Sequence, residues 1–202
     1  MIAIAIPTYH RIEFTEMCLN SFFKHTDFNL VTKFKVFDNN SGDEMNKLLD
    51  SYNIEYEIGN FHNSWAGFNK LYNEIKNDDN FKYIGKIDND VSFTRPWLQD
   101  LMIEFKKDSL IGSISFAINS SKGDVSELNK DSAGGGVRIF NKTIVEPVLD
   151  SYRFAPCVSI MNKIKKSGMS AYHKEVGVKM LDALYPNIQA KYFNGVSRRP
   201  AQ

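Results

Sequence analysis

At 202 residues the chain has the length of one large domain with room for a sizeable core. Its 43% hydrophobic and 24% charged content is that of an ordinary globular protein and excludes a disordered or fibrous chain. Net charge is +1, but residues 151–202 hold nine Lys and Arg against two acidic residues, a local +7 that leaves −6 for residues 1–150. The basic quarter points to an anionic partner there: substrate phosphates, nucleic acid or an anionic surface. Cys18 and Cys157 are the only cysteines. Two thiols without metal spacing argue against a disulfide framework and for a reducing compartment, the cytoplasm. The apolar run Met1–Ile6 is cut off at Pro7, too short for a signal h-region or a membrane span, and no later stretch approaches one.

In chain order, Ile2 to Pro7 is a continuous apolar run, as expected for a strand buried on both faces. Thr15 to Lys24 predicts a helix capped at Thr15. Phe34 to Phe37 predicts a second strand, and Asp38-Asn-Asn-Ser-Gly-Asp43 is dense turn chemistry. A helix over Glu44–Tyr52 and a short strand over Tyr56–Ile58 follow. Ala66 to Lys76 reads as helix, and Tyr83 onward as a strand that delivers Asp88-Asn89-Asp90 to its carboxyl end. Pro96 to Lys107 is a helix with proline in its first turn. Ile111–Ile118 and Gly136–Phe140 are strands, Asn119–Ala133 a polar loop, and Tyr172–Tyr185 a closing helix. This alternation predicts an α/β fold, a single domain over residues 1–202 with a mainly parallel central sheet flanked by helices.

Asp88 and Asp90 stand one residue apart. On a strand, residues i and i+2 share a face, so both carboxylates are expected on one rigid edge. Two hard oxygen donors suit Mg²⁺ or Mn²⁺, which keeps other positions for water and phosphate oxygens. A metal-bridged diphosphate substrate follows; the plain alternative is a strand ending in a polar turn, since Asp and Asn favour turns. Ligands of open α/β sheets bind at the carboxyl ends of the strands. Three polar clusters are expected there: Pro7-Thr8-Tyr9-His10-Arg11, Asp38 to Asp43, and Asp88 to Asp90. Together they predict a nucleotide-diphosphate site.

Four segments, in order, resemble the family-two glycosyltransferases of GT-A fold. Ile4-Ala-Ile-Pro-Thr-Tyr-His-Arg11 resembles the family's first strand and loop, and Phe37-Asp-Asn-Asn-Ser-Gly-Asp43 its Val-Asp-Asn-Asn-Ser-x-Asp segment. Asn60-Phe-His-Asn-Ser-Trp-Ala-Gly-Phe-Asn69 loosely resembles its Asn-x-Gly-x-x-x-Ala-x-Asn helix start. Ile87-Asp-Asn-Asp-Val91, with Trp97-Leu98 after it, resembles the D-x-D strand and the helix that follows. The match covers residues 1–105 and is weak beyond. It implies a single GT-A, Rossmann-like domain with a nucleotide-sugar-binding half, 1–105, and an acceptor half, 106–202.

The activity the resemblance implies is metal-dependent, inverting transfer of a sugar from a nucleotide diphosphate, UDP favoured, to an acceptor hydroxyl. It implies that Pro7, Thr8, Tyr9 and Arg11 border the base and phosphates, that Asp38 accepts a hydrogen bond from a uracil-type imide, and that Asn40 and Asn63 belong to the donor site. Asp88 is then expected near the ribose and Asp90 on Mn²⁺ or Mg²⁺, with Asn89 between them. Inversion needs a general base. The family places an acid, usually Glu-Asp, at a later helix start; Glu175 is the candidate, with Val176 in the second position. Its other reading is a helix acid paired with Lys179, and Asp124 and Asp131 compete for the role. His173 is a candidate third metal ligand or phosphate-orienting group, or a structural histidine. Ser132-Ala-Gly-Gly-Gly136 would let the backbone approach the sugar. Trp65 and Trp97 are expected as packing residues, with Trp65 also placed to border the sugar. The processive Gln-x-x-Arg-Trp motif has no counterpart, so a polymer synthase is not expected.

The acceptor is expected to be a glycan hydroxyl or a hydroxymethylated DNA base of the kind found in modified phage genomes, the location then being the host cytoplasm. Tyr172, Tyr185, Tyr192 and Phe193 among basic residues suit a nucleic acid backbone and stacked bases. A non-catalytic nucleotide-sugar-binding protein and a nucleotidyltransferase are the alternatives.

Overall fold

The computed structural model describes residues 1–61, 63–116, 136–145, 170–173 and 178–180. At its centre lies β1 (Ile2–Thr8), whose side chains alternate between two cores: Ile2, Ile4 and Ile6 on one face, Ala3 and Ala5 on the other. It pairs in parallel with β2 (Val31–Asp38) on one side and β4 (Tyr83–Ile87) on the other. Beyond β2 lies β3 (Tyr56–Ile58), also parallel. On the far side, β7 (Val137–Asn141) runs antiparallel to both β4 and β6 (Ile111–Phe116). The edge strand β8 (Ser170–His173) is parallel to β6. The sheet order is β3-β2-β1-β4-β7-β6-β8, so among the described strands of this sheet only β7 opposes its neighbours. A separate antiparallel ribbon joins β5 (Val91–Phe93) to β9 (Val178–Met180).

The first face is covered by helices that present apolar residues at helical spacing. Phe14, Cys18, Leu19 and Phe22 of α1 (Ile12–His25), Met45 and Leu49 of α2 (Asp43–Ser51) and Leu98, Leu101 and Phe105 of α4 (Leu98–Lys107) are all buried. Phe22 is the hub of an aromatic cluster, stacked on Phe34 at 5.0 Å and edge-on to Phe93 at 5.7 Å. Trp97 beside it is fully buried and donates its indole N–H to Thr26 Oγ1 at 3.0 Å, as a buried Trp must. On the second face α3 (Ala66–Ile75) packs Phe68, Leu71 and Tyr72 over Ala3, Ala5 and Phe37. The two alanines of β1 and Gly67 of α3 allow that close approach.

The α/β class, the mainly parallel sheet and the first four strands are those expected. Three expectations need correction. α1 begins at Ile12 and not at a Thr15 cap: Thr15 sits one turn inside, its N–H and hydroxyl both donating to the Arg11 carbonyl. His10 and Arg11, at φ 49° and 52°, turn the chain into it. Within the helix expected over Tyr172–Tyr185, the described residues lie in β8 and β9, strands of four and three residues that pair with β6 and β5, and the rest of that span lies outside the described residues. β5 itself, just after Asp90, was not anticipated. Among the described residues no helix is long and apolar enough to cross a membrane.

Gly67 gives a direct check of this packing. A Cβ there would stand 2.6 Å from the Phe37 Cβ, an atom fixed to the backbone of β2. Gly→Ala in a helix ordinarily gains about 0.5–1 kcal/mol. Here overpacking is expected to cost about 1–3 kcal/mol and reverse the sign. Urea unfolding of G67A reads the outcome; a raised midpoint would refute the close approach.

Candidate functional site

The carboxyl ends of β1 and β2 lie side by side, with Thr8 and Asp38 in register. Asp38 is fully buried. Its carboxylate accepts the Thr8 hydroxyl at 2.8 Å, the Ser41 N–H at 2.8 Å and the Ser41 hydroxyl. Ser41 Oγ in turn accepts the His10 N–H at 2.8 Å, so one acid ties the β1–α1 loop to the β2–α2 loop. Asn39 extends the tie: its side-chain oxygen accepts the Phe61 N–H at 2.6 Å. Asn40 is exposed and left-handed at φ 56°, the conformation Asn tolerates best outside Gly. Tyr9 is exposed at the rim, its ring 4.2 Å from that of His10, and Pro7 lies within β1.

Asp88, Asn89 and Asp90 form the turn between β4, which ends at Ile87, and β5, which begins at Val91. The shared strand face expected for the two acids is therefore absent, because turn preference prevails at the strand end. Each acid instead has its own cation. Asp88 pairs with Lys86, two residues back on β4, and its side chain stays 31% exposed. Asp90 pairs with Arg11 at 2.6 Å and is buried. Asn89, between them, donates its amide to Thr15 Oγ1 at 2.9 Å and pins the turn to α1. The Asp88 N–H donates to the Gly136 carbonyl at 2.6 Å, which brings the last residue of the expected glycine run beside the turn.

Beneath the turn lies Cys18, whose thiol contacts the Asp88 carbonyl at 3.6 Å. Burial pushes the thiol far above its ordinary range, and the charges of Asp90 and Asp88 add to the effect. It is a packing residue and not a nucleophile.

On the second face of the sheet, sequence reasoning missed a buried basic pair. Lys86 of β4 and Arg138 of β7 are register partners, 4% and 1% exposed. The Lys86 ammonium stands 5.1 Å and the Arg138 guanidinium 6.0 Å from the ring centre of Trp65. Arg138 Nε also donates to Ser115 Oγ at 3.0 Å. A lysine inside the apolar run Tyr83-Ile-Gly-Lys-Ile87 was the available signal. Trp65 is buried as expected, and Asn63, exposed, accepts the Trp65 N–H at 2.8 Å to shape the start of α3.

Two hard carboxylates at the sheet's carboxyl edge fit a divalent cation by donor chemistry. Among the described residues no group of three or more His, Cys, Asp or Glu is placed to hold one. Such an ion would bring its remaining ligands with it, as a metal bound to a diphosphate does. His173 closes β8, in register with Ser115, and thus stands three strands from β4, roughly 14 Å at ordinary strand spacing. Glu175, Asp124, Asp131 and residues 132–135 lie outside the described residues.

No protein-family model and no curated protein matches this sequence. Solved structures do match. A mannosyltransferase from Pyrobaculum calidifontis, in complex with GDP-Man and Mn²⁺, superposes with a TM-score of 0.63 at 13% identity, over 86% of this chain and 54% of that one. Staphylococcus aureus TarS, residues 1–349, gives 0.61 at 12% identity, over 97% of this chain and 66% of that one. Glucosyl-3-phosphoglycerate synthase from Mycobacterium tuberculosis, with Mn²⁺ and UDP-glucose, gives 0.60 at 13% identity, over 87% and 70%. The chain thus spans about half to two thirds of the length of these proteins. Its fold is the GT-A fold of glycosyltransferases, as the sequence resemblance implied.

Asp38→Ala leaves two hydroxyls and a backbone N–H of the loop scaffold without their acceptor. It is expected to cost about 1–3 kcal/mol. Hydrogen exchange should rise first at residues 8–11 and 39–42. Unchanged exchange in both loops would mean that Asp38 does not hold them.

Proposed function

We propose that this protein is a metal-dependent glycosyltransferase that moves a sugar from a nucleoside diphosphate donor to an acceptor hydroxyl. One observation carries the reading. A GT-A sheet brings a turn with two carboxylates and a partner Arg11 to the same edge as the Asp38-anchored loops. Two proteins of the same fold were solved with Mn²⁺ and a nucleotide sugar.

The reading gives each of these residues a proposed role. Tyr9 offers an exposed ring to the base. Thr8, Asp38 and Ser41 hold the loop that carries it, with Asn40 and Asn63 at the rim. Arg11, held at Asp90, is the proposed cation for the donor phosphates. Asp88 and Asp90, with Asn89 fixing the turn, would hold Mn²⁺ or Mg²⁺. Bound there, the ion supplies charge neutralisation on the departing diphosphate. Glu175 is the proposed general base that takes the acceptor proton with inversion, and His173, three strands from the turn, a proposed phosphate-orienting group. A uracil donor remains favoured from the sequence, with the buried Asp38 as the proposed acceptor for the imide of its base.

The acceptor is a hydroxyl of a glycan or of a hydroxymethylated DNA base, handled by residues 106–202. The +7 over residues 151–202 favours an anionic one. The cytoplasm is the compartment this reading requires, since nucleotide sugar and reduced thiols meet there.

A thermal-shift panel of nucleotide sugars with Mn²⁺ should give stabilisation by one donor and not by the others. D90A is expected to keep the fold and lose roughly 10²–10³-fold in turnover, the several kcal/mol a metal supplies. Retained turnover would remove Asp90 from the metal site. Stabilisation without turnover would indicate a binding protein, and diphosphate release from a nucleoside triphosphate a nucleotidyltransferase. Salt-dependent binding of duplex DNA would select the DNA acceptor.

A further inference from the structure

We propose that Lys86 is a positioning residue for Asp88 and a competitor for its carboxylate, so that the turn holds a divalent cation weakly until a nucleoside diphosphate accompanies it. The inference rests on the functional reading above and adds a residue with no role in it.

Lys86 is 4% exposed in the middle of a core strand, flanked by Gly85 and Ile87. Burial of an ammonium costs several kcal/mol unless an anion meets it. Asp88 is that anion: Lys86 reaches along β4 to its Oδ1. The Trp65 ring centre lies 5.1 Å from Nζ and adds a cation–π attraction. Arg138, its register partner, adds a second buried cation on the same face, and like charge opposes a shift of Lys86 toward it. The ammonium is therefore fixed, and it fixes the carboxylate above it.

The cation has a cost for metal binding. A charge held within hydrogen-bond distance of Asp88 opposes a second cation on the same group. A nucleoside diphosphate carries negative charges of its own and offsets that opposition. The ammonium thus couples ion uptake to the donor while it holds Asp88 in one orientation. A lysine that served packing alone would leave bare-ion affinity unmoved or, by loosening the turn, lower it when lost.

The test uses the full chain with Mn²⁺ alone and Mn²⁺ with UDP, free ion being followed by electron paramagnetic resonance. K86M is expected to bind bare Mn²⁺ about tenfold more tightly, with a smaller gain on adding UDP, and to lose more in kcat than in KM. K86R keeps the charge, so its bare-ion affinity is expected within about twofold of the wild type, while turnover falls because a planar fork replaces a point charge. Weaker or unchanged bare Mn²⁺ binding by K86M overturns the proposal. Should K86M fail to fold, K86R decides: affinity held with turnover lowered supports it, and a large change in affinity overturns it. If the wild type takes up no Mn²⁺ even with UDP, the functional reading itself falls. Uptake by the wild type with no change in K86M removes the role of Lys86 alone.

Discussion

The hydrogen bond from Thr8 to Asp38 joins two strand ends, and the shape of the site follows from it. A carboxylate with no exposure must spend its lone pairs inside the protein. Asp38 spends them on the two loops that leave β1 and β2, which fixes where His10 and Arg11 turn into α1. Those two residues hold left-handed backbone that non-glycine residues adopt only at a cost. The cost is met by Ser41 on the His10 N–H and by Thr15 on the Arg11 carbonyl. Arg11 is thereby delivered to Asp90, on a different strand end and 79 residues away in sequence.

Charge balance governs the other half of the site. Two acids and two bases meet at one turn: Asp88 with Lys86 from below, Asp90 with Arg11 from the side. Partly buried pairs of this kind contribute little to stability once desolvation is counted. What they do is define orientation. Each carboxylate has one preferred direction, and Asn89 locks the peptide between them to α1.

The sequence was most informative where burial leaves a local signature. β1 is apolar throughout because both its faces are covered, and the helices show their buried stripe. The polar clusters at the carboxyl ends of β1, β2 and β4 were visible because runs of Asp, Asn and Ser break the apolar pattern of a strand. The geometry of Asp88 and Asp90 was not, since strand periodicity and turn preference make opposite claims on the same three residues. The strands β8 and β9 are four and three residues long and owe their conformation to partners far off in the chain, which no local pattern records. The direction of β7 is likewise a property of topology and not of alternation. Lys86 was legible as an oddity, a charge in an apolar run, but its meaning needed Asp88 and Trp65 in space.

The division of the chain into a donor half and an acceptor half has a structural limit. β4, which carries the D-N-D turn, has β1 on one side and β7 on the other; β5, just beyond the turn, has β9. Both β7 and β9 come from the later half. A fragment ending near residue 105 would retain every residue matched to the donor site, yet it would carry β4 as a bare inner edge with its ladder groups unpaired. Such an edge invites pairing with other copies. The two halves share one sheet and depend on each other in folding.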